Sequence, residues 1–251
     1  MSRNFELLQN LGKEIQMFTP VEEKAAAVAL EVGDVKPPRF DLEPAQRDEL
    51  MKLVQRVFLA PGVEGSHMVV VCGMETDCNS AWICARAGEI LAAQVTGTVC
   101  LVDANLRQPS LHLEFGVDEG PGLANALRQP DSIRNFVRTS GRSNLWLLSS
   151  GEQAQEWEAL VASDRMRARL NELRGIFDYV LIDAPAFNAS NDVASLARAS
   201  EGVVLVLKAH SSRREVARKA VKDFGSAGVR VLGAVLNQRT FPIPDKIYSK
   251  L

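Results

Sequence analysis

The chain has 251 residues, of which 46% are hydrophobic and 24% are charged, a balance that is ordinary for a globular protein with one large α/β domain. Its formal net charge of −2 provides no positive field, so we expect no nucleic-acid partner. The four cysteines form no C-x-x-C pair, which argues against a zinc or redox motif. No apolar run approaches the roughly 20 residues that cross a bilayer, and acids and amides interrupt the N-terminal apolar pattern. We therefore expect a cytoplasmic protein.

The N-terminal extension is predicted to contain a helix and a linker. Apolar residues recur every three to four positions over 1–18, which predicts an amphipathic helix that either packs on its own domain or docks onto a partner. Residues 19–46 hold four prolines and an acidic bias, which is typical of a linker. A further helix is expected over about 45–59. The C-terminal tail, 241–251, is either a strap over the core or a partner-docking peptide.

The central part of the chain, 47–240, alternates apolar and helical segments. The strand-like segments are continuously apolar, as in strands that are buried on both faces, and they cover 68–73, 99–104, 145–150, 179–185, 202–209 and 229–237. Helical stretches lie between most of them, at 80–94, 163–175, 191–199 and 212–227. This alternation predicts an α/β domain with a doubly wound, mostly parallel sheet. Ligands of such sheets bind beyond the carboxyl ends of the strands.

The first strand runs into the segment GMETDCNS, at the position of a P-loop. A working P-loop reads G-x-x-x-x-G-K-[ST], in which the lysine reaches the β and γ phosphates and the hydroxyl holds Mg²⁺. Counted from Gly73, the glycine, lysine and hydroxyl slots hold Cys78, Asn79 and Ser80. Shifted by one residue, they hold Asn79, Ser80 and Ala81. The position therefore predicts a P-loop NTPase-like domain, although the residues depart from the motif.

The charge of this loop is wrong for phosphoryl transfer. No lysine occurs from 68 to 102, and Asp77 adds negative charge where phosphates would lie. A lysine ammonium against transferring phosphates contributes several kcal/mol of transition-state stabilisation in a dry site. We therefore expect impaired or absent catalysis, while nucleotide binding stays open because backbone amides need no side chain.

Two aspartates stand at the ends of predicted strands. Asp103 ends the second strand, and Arg107 follows just beyond it. Asp183 ends the strand FDYVLID, where a Walker B aspartate would position hydrated Mg²⁺. Three strand ends that converge on P-loop geometry are stronger support than any one of them.

Several segments of the sequence resemble one known family. The similarity covers about 47–240 and is carried by the segments VDANLRQPSLHLEFG, PGLANAL, LVASDRMRARLNELRGIFDYVLIDAPAF and GVRVLGAVLNQ. They resemble the second Walker motif, the Walker B strand and the last strand of the bacterial tyrosine kinases (BY-kinases) from capsule and exopolysaccharide loci. These kinases are relatives of the MinD/ParA class of P-loop proteins.

The resemblance implies roles for individual residues. Asp103 would be the catalytic acid or base, and Ser80, Asp103 and Asp183 would hold Mg²⁺. ATP or ADP would be bound by Gly73, Asn79, Ser80, Arg107 and Asn237, with Asn237 near the adenine.

The sequence also departs from the family pattern. Besides the missing lysine, Asn105 replaces the second aspartate of the second Walker motif. The C-terminal tyrosine cluster is absent, and the chain has two tyrosines in all. The ring-assembly motif E-x-x-R-x-x-R is reduced to Glu49, Lys52 and Gln55. These losses together predict a pseudokinase.

Three functional hypotheses follow. The first is a regulator or assembly partner in polysaccharide synthesis and export, which a membrane polysaccharide co-polymerase or another export component recruits to the inner face of the membrane. The second is an active tyrosine kinase or ATPase in which Arg86, or a basic residue of a second subunit, replaces the lysine. The third, a MinD/ParA-like positioning protein, is disfavoured by the near-neutral charge and by a tail without a basic amphipathic helix. The formation of a homo-oligomer is left open.

Overall fold

The computed structural model describes residues 42–60, 65–152, 156–190 and 193–238. The predicted helix at 1–18, most of the linker and the tail at 241–251 lie outside these residues. The division of the chain into these parts therefore stays a prediction.

A seven-stranded sheet forms the centre of the domain. Its strands are β1 (Met68–Gly73), β2 (Val99–Asp103), β3 (Arg138–Arg142), β4 (Leu145–Leu148), β5 (Tyr179–Ala184), β6 (Val203–Lys208) and β7 (Val231–Asn237). The order across the sheet is β3-β4-β2-β5-β1-β6-β7, and all neighbours are parallel except β3 and β4. This confirms the prediction of a doubly wound, mostly parallel α/β domain.

Helices connect the strands along the chain. They are α1 (Pro44–Phe58), α2 (Ser80–Gln94), α3 (Leu123–Arg128), α4 (Trp157–Val161), α5 (Asp164–Ile176), α6 (Val193–Arg198) and α7 (Arg214–Ser226). Helix α1 begins with proline in its first turn, where no amide hydrogen is needed for helix bonding. The last three residues of the predicted linker, 44–46, therefore belong to this helix.

Helix α2 lies unusually close to the sheet. The small and aliphatic residues of α2 are buried on most sides of the helix. A Cβ added at Gly88 would lie 2.4 Å from the side chain of Leu101 in β2. The glycine at this position leaves room for the Leu101 side chain between the helix and the sheet. The packing fixes the first turn of α2 at the tips of β1, β2 and β5, which are buried along their length apart from the half-buried Tyr179.

The edge strand β3 is absent from the sequence prediction. Its segment, RTSGR, is polar and half-exposed, and it pairs antiparallel to β4 with a register shift. Such an edge strand buries too little apolar surface to show the continuous apolar pattern of the inner strands. Within the part of the chain that the structure describes, no helix is long and apolar enough to cross a membrane.

The packing of α3 against the segment after β4 yields a stability prediction. A Cβ at Gly122 would lie 2.1 Å from the carbonyl oxygen of Ser149, which already accepts a hydrogen bond from Leu123. Gly122→Ala should therefore lower the free energy of unfolding by about 1–3 kcal/mol or more, measured by urea unfolding. Gly175→Ala in α5 is the matched control, because no atom lies within 4 Å of its added Cβ. That control should raise stability by about 0.5–1 kcal/mol, and equal effects of the two variants would contradict the packing account.

Candidate nucleotide and metal site

The P-loop-like turn joins β1 to α2. A Cβ at Gly73 would lie 2.9 Å from the carbonyl oxygen of Glu75 and 3.2 Å from Cβ of Cys78, so the turn has no room for a side chain there. Asn79 has a φ of 61°, a left-handed conformation that a glycine would adopt more easily. As the N-cap of α2, Asn79 makes no side-chain hydrogen bond to the first turn. The first amides of α2 therefore lack a side-chain cap from this residue, as a phosphate site requires.

Two carboxyl groups lie side by side beneath this turn. Asp103 and Asp183 are register partners at the tips of β2 and β5, and neither has any exposed surface. The carboxylate of Asp103 accepts hydrogen bonds from the backbone amides of Asn105, Ser110 and Leu111, at 3.0–3.1 Å. Asp103 therefore organises the loop after β2. In contrast, neither carboxylate oxygen of Asp183 has a hydrogen-bond partner among the described residues.

Burial controls the protonation of this pair. It raises the pKa of Asp103 to about 7, although the three backbone amides act in the opposite direction. Burial and the neighbouring Asp103 carboxylate raise the pKa of Asp183 well above its usual range, and the nearby Ser80 hydroxyl opposes this rise. In the free protein the pair therefore favours its protonated form, and a bound cation would favour the ionised form instead.

The side chains at this position fit a Mg²⁺ ion. Mg²⁺ is usually bound by one or two carboxylates together with water and nucleotide phosphates, so a cage of several acidic ligands is not needed. Among the described residues, no group of three or more His, Cys, Asp or Glu side chains could hold a metal ion. Asp183, with its unpartnered oxygens, would be the principal ligand, and Ser80 and Asp103 would complete the set.

A cavity of about 210 Å³ opens beside the turn. Its lining is mostly polar and comprises Glu75, Thr76, Ser80, Asn105, Arg107, Gln108, Pro185, Ala186, Asn188 and Ala189. The segment after β5 closes one side, because the amides of Phe187 and Asn188 donate to the carbonyl oxygens of Gly73 and Met74 at 2.8 and 3.3 Å. The volume of the cavity is smaller than that of most small-molecule sites, which is about 300–1,000 Å³.

The structure brings some of the predicted site residues together and separates others. Ser80 and Arg107 line the cavity, and Arg107 also lies 5.8 Å from the ring centre of Trp157. Asn79 is exposed and is not among the lining residues. Asn237 lies at the tip of β7, where its amide donates to the carbonyl oxygen of Cys78 at 3.1 Å. Ser80 beside Asp183 favours the motif register in which Gly73 is the first glycine.

A basic residue that was not predicted from the sequence lies at the turn. Lys208, at the tip of β6, forms an ion pair with Asp77, and Ser212 donates to Glu75 at 2.6 Å. The lysine is visible in the segment GVVLVLKA, but its proximity to the turn depends on β6 being the neighbour of β1. Strand order of this kind is not encoded in the local sequence pattern.

Arg86 lies too deep to act as the missing lysine. Its side chain has no exposed surface, and its guanidinium nitrogens lie 3.0 Å from the carboxylate of Glu89 and 3.7 Å from that of Glu114. It also donates to the backbone carbonyl of Glu114 and packs on the ring of Phe115. The proposed substitution of the lysine by Arg86 is therefore contradicted by its contacts.

The unpartnered carboxyl of Asp183 gives a pH-dependent prediction. Its folded pKa lies above the unfolded value of about 3.9, so the native state binds the extra proton and stability falls as pH rises through the folded value. Asparagine cannot ionise, so Asp183→Asn should gain stability over the wild type, and the gain should be larger at pH 8 than at pH 5. Thermal melts at the two pH values measure it. The exposed Asp223→Asn on α7 should show no such difference, and a gain of equal size at both pH values for Asp183→Asn would contradict the account.

Comparison with known proteins extends the sequence resemblance. No protein-family model matches the chain. Tyrosine-protein kinase YwqD of Bacillus subtilis (strain 168) is 29% identical over 199 residues, which cover 79% of this chain and 77% of YwqD. CapB of Staphylococcus aureus is 30% identical over 146 residues, which cover 58% of this chain and 64% of CapB. Tyrosine-protein kinase Etk of Escherichia coli (strain K12) is 24% identical, and the match covers 68% of this chain but 24% of Etk.

Solved structures share the fold. The chimerical protein CapA2B2 superposes with a TM-score of 0.72 at 20% identity, covering 79% of this chain and 87% of that chain. MinD of Pyrococcus horikoshii, complexed with Mg-ADP, superposes with a TM-score of 0.58 at 21% identity, covering 73% and 76%. These two likenesses concern the fold alone. The sequence relatives support the bacterial tyrosine kinase family, and the fold is shared with MinD-like P-loop proteins.

Proposed function

We propose that the chain is a cytoplasmic regulator or assembly partner in capsule or exopolysaccharide synthesis and export, with little or no tyrosine kinase activity. The observation that carries this proposal is the turn between β1 and α2. It keeps the position of a phosphate-binding loop, yet it has no lysine and carries the acids Glu75 and Asp77. A phosphoryl-transfer site depends on cations that neutralise the developing charge, so these acids oppose the reaction.

The retained half of the site supports nucleotide sensing rather than catalysis. Asp183 and Ser80 would hold Mg²⁺, which, when bound, neutralises phosphate charge. Asp103 is fully buried, and backbone amides occupy both of its oxygens, so it is poorly placed to accept a substrate proton. The small cavity also favours weak binding over tight binding of a whole nucleotide.

Helix α1 supports a role apart from the ring-forming kinases. Its surviving acid and base, Glu49 and Lys52, pair with each other at 2.7 Å on an exposed surface. Such exposed pairs contribute little to the free energy of folding or association. The surroundings of the pair do not orient either charge toward a second copy of the chain. In this proposal, contacts to a membrane polysaccharide co-polymerase or another export component bring the chain to the inner face of the membrane.

The alternative function is an active tyrosine kinase or ATPase with an unconventional loop. It is favoured by one observation, the retention of Arg107 at the cavity together with the two buried carboxyls. Arg107 could contact a phosphate, but it is exposed and stacks near Trp157, so it lacks the enclosed setting that strengthens such contacts.

A variant with a complete P-loop motif distinguishes these two functional hypotheses. Cys78→Gly with Asn79→Lys completes the G-x-x-x-x-G-K-[ST] motif, because Ser80 already occupies the hydroxyl slot. We expect the wild type to transfer no labelled phosphate from Mg-ATP to itself or to a tyrosine polymer. We expect the restored variant to bind Mg-ATP at least about tenfold more tightly, because a charged hydrogen bond is gained.

The controls for this experiment use the same loop. Cys78→Gly with Asn79→Met changes the backbone equally without adding charge, and it should bind like the wild type. Phosphate transfer by the wild type that is lost in Asp103→Asn would contradict the proposal and establish the alternative.

The assembly role has its own test. Affinity capture of the tagged chain from its native cell, after mild crosslinking, should recover a membrane protein of polysaccharide synthesis or export. The recovery of soluble metabolic proteins alone, in repeated captures, would remove this part of the proposal.

A further inference from the structure

Lys208 is anchored so that its ammonium faces the P-loop-like turn. It lies two residues beyond Val206, the register partner of Gly73, and so it extends past the point where β1 ends. The backbone amide of Lys208 donates to Ser212 at 2.9 Å, and the ammonium pairs with Asp77 at the top of the turn. Its side chain is 30% exposed, so the charge is near the surface and open to a ligand.

The remaining contacts of the turn come from the same side of the sheet. Ser212 donates to Glu75 at 2.6 Å, Asn237 donates to the carbonyl of Cys78, and the amide of Gln238 donates to the carbonyl of Asp77 at 3.3 Å. The tips of β6 and β7 therefore hold the turn in place. If the pair of Asp77 and Lys208 opens, three contacts still anchor the loop.

We propose that Lys208 is the phosphate-binding cation of this site and that Asp77 occupies it when no nucleotide is present. A nucleoside diphosphate or triphosphate would displace the Asp77 carboxylate, and a phosphate oxygen would take its place against the ammonium. This inference rests on the proposed function, because it assigns a ligand class to the nucleotide crevice of that proposal. Lys208 lies in β6, outside the P-loop motif, whose lysine position holds Asn79.

The position of Lys208 also determines which phosphate it reaches. The carboxyls of Asp183 and Asp103 lie on the β5 and β2 side of β1, whereas Lys208 lies on the β6 side. Asp183 would hold Mg²⁺, which would supply positive charge to the phosphates, and Lys208 would meet them from the opposite side. Lys208 therefore supports binding of ADP as well as ATP, and it is badly placed to stabilise transfer of the terminal phosphoryl group. This agrees with a nucleotide-binding regulator of low activity.

A purely structural ion pair predicts a different pattern of mutational effects. If Asp77 and Lys208 only anchored the turn, removal of either partner would weaken nucleotide binding or leave it unchanged, and the two variants would change it in the same direction. If Lys208 binds phosphate and Asp77 competes for it, the two changes act in opposite directions. The direction of each effect therefore distinguishes the two accounts without knowledge of the absolute affinity.

The experiment measures ADP, Mg-ADP and inorganic triphosphate binding by calorimetry for the full chain and four variants. Asp77→Asn should tighten binding by about tenfold, and Lys208→Met should weaken it by about tenfold, since each changes one charged contact. Lys208→Arg keeps the charge and should stay close to the wild type. Lys219→Met, an exposed lysine on α7, is the matched control and should have no effect. Inorganic triphosphate should follow the same order, because the contact is to phosphate rather than to the base.

Each outcome of this experiment either supports or overturns the inference. Opposite effects of Asp77→Asn and Lys208→Met support it, and effects in the same direction, or none, overturn it. If the wild type binds nothing at millimolar nucleotide, appearance of binding in Asp77→Asn supports the inference and continued absence overturns it. Such an absence leaves the regulator proposal standing, because that proposal fails on phosphate transfer by the wild type or on the identity of its captured partners.

Discussion

The burial of two carboxyl groups at adjacent strand tips is the constraint around which this site is built. Asp103 and Asp183 are register partners with no exposed surface, and they lie beneath the turn that begins α2. Asp103 satisfies its oxygens with backbone amides and thereby shapes the loop that carries Arg107. Asp183 has no such partners, so the free energy of its burial must be offset by packing elsewhere in the core. A buried carboxyl without hydrogen-bond partners costs free energy in the free protein. Such a group is expected at a site where a bound cation or ligand provides the missing contacts.

The same site combines features that favour a ligand with features that oppose one. In the proposed function, the first turn of α2 and the carboxyl pair would form the cation-dependent half of a phosphate site. The acids Glu75 and Asp77 stand where phosphates would lie, and each is held by a side chain from the β6 side. The turn is therefore held by contacts to side chains from the β6 side of the sheet. These contacts support the proposed role as a regulator.

The sequence was sufficient for most of the fold because the inner strands are continuously apolar. The segments that became β1, β2 and β5 and the full length of α2 were predicted within a residue of their bounds. The polar edge strand β3 and the short helices α3 and α4 were missed, since each buries too few residues to give a periodic signal. The carboxyl pair was also predictable, because parallel strands bring their carboxyl ends to one edge.

The parts of the site that could not be predicted depend on tertiary neighbours. The pairing of Lys208 with Asp77 joins residues 131 positions apart and follows from strand order alone. The pairing of Arg86 with Glu114 likewise depends on how the segment after β2 folds over α2, whereas Glu89 lies three residues along the same helix. Sequence spacing indicated Arg86 as a substitute cation, but its pairing in the core removes it from that role.

Backbone hydrogen bonds close one edge of the cavity beside the turn. The amides of Phe187 and Asn188 bond to the carbonyls of Gly73 and Met74, so the closure of this edge of the cavity uses no side-chain atom. Side-chain substitutions in the turn do not remove any atom of these bonds. Such substitutions therefore leave the closed edge of the cavity unchanged, but they change the charge of the turn. Point substitutions can therefore change the charge of the turn while the backbone bonds at this edge stay the same.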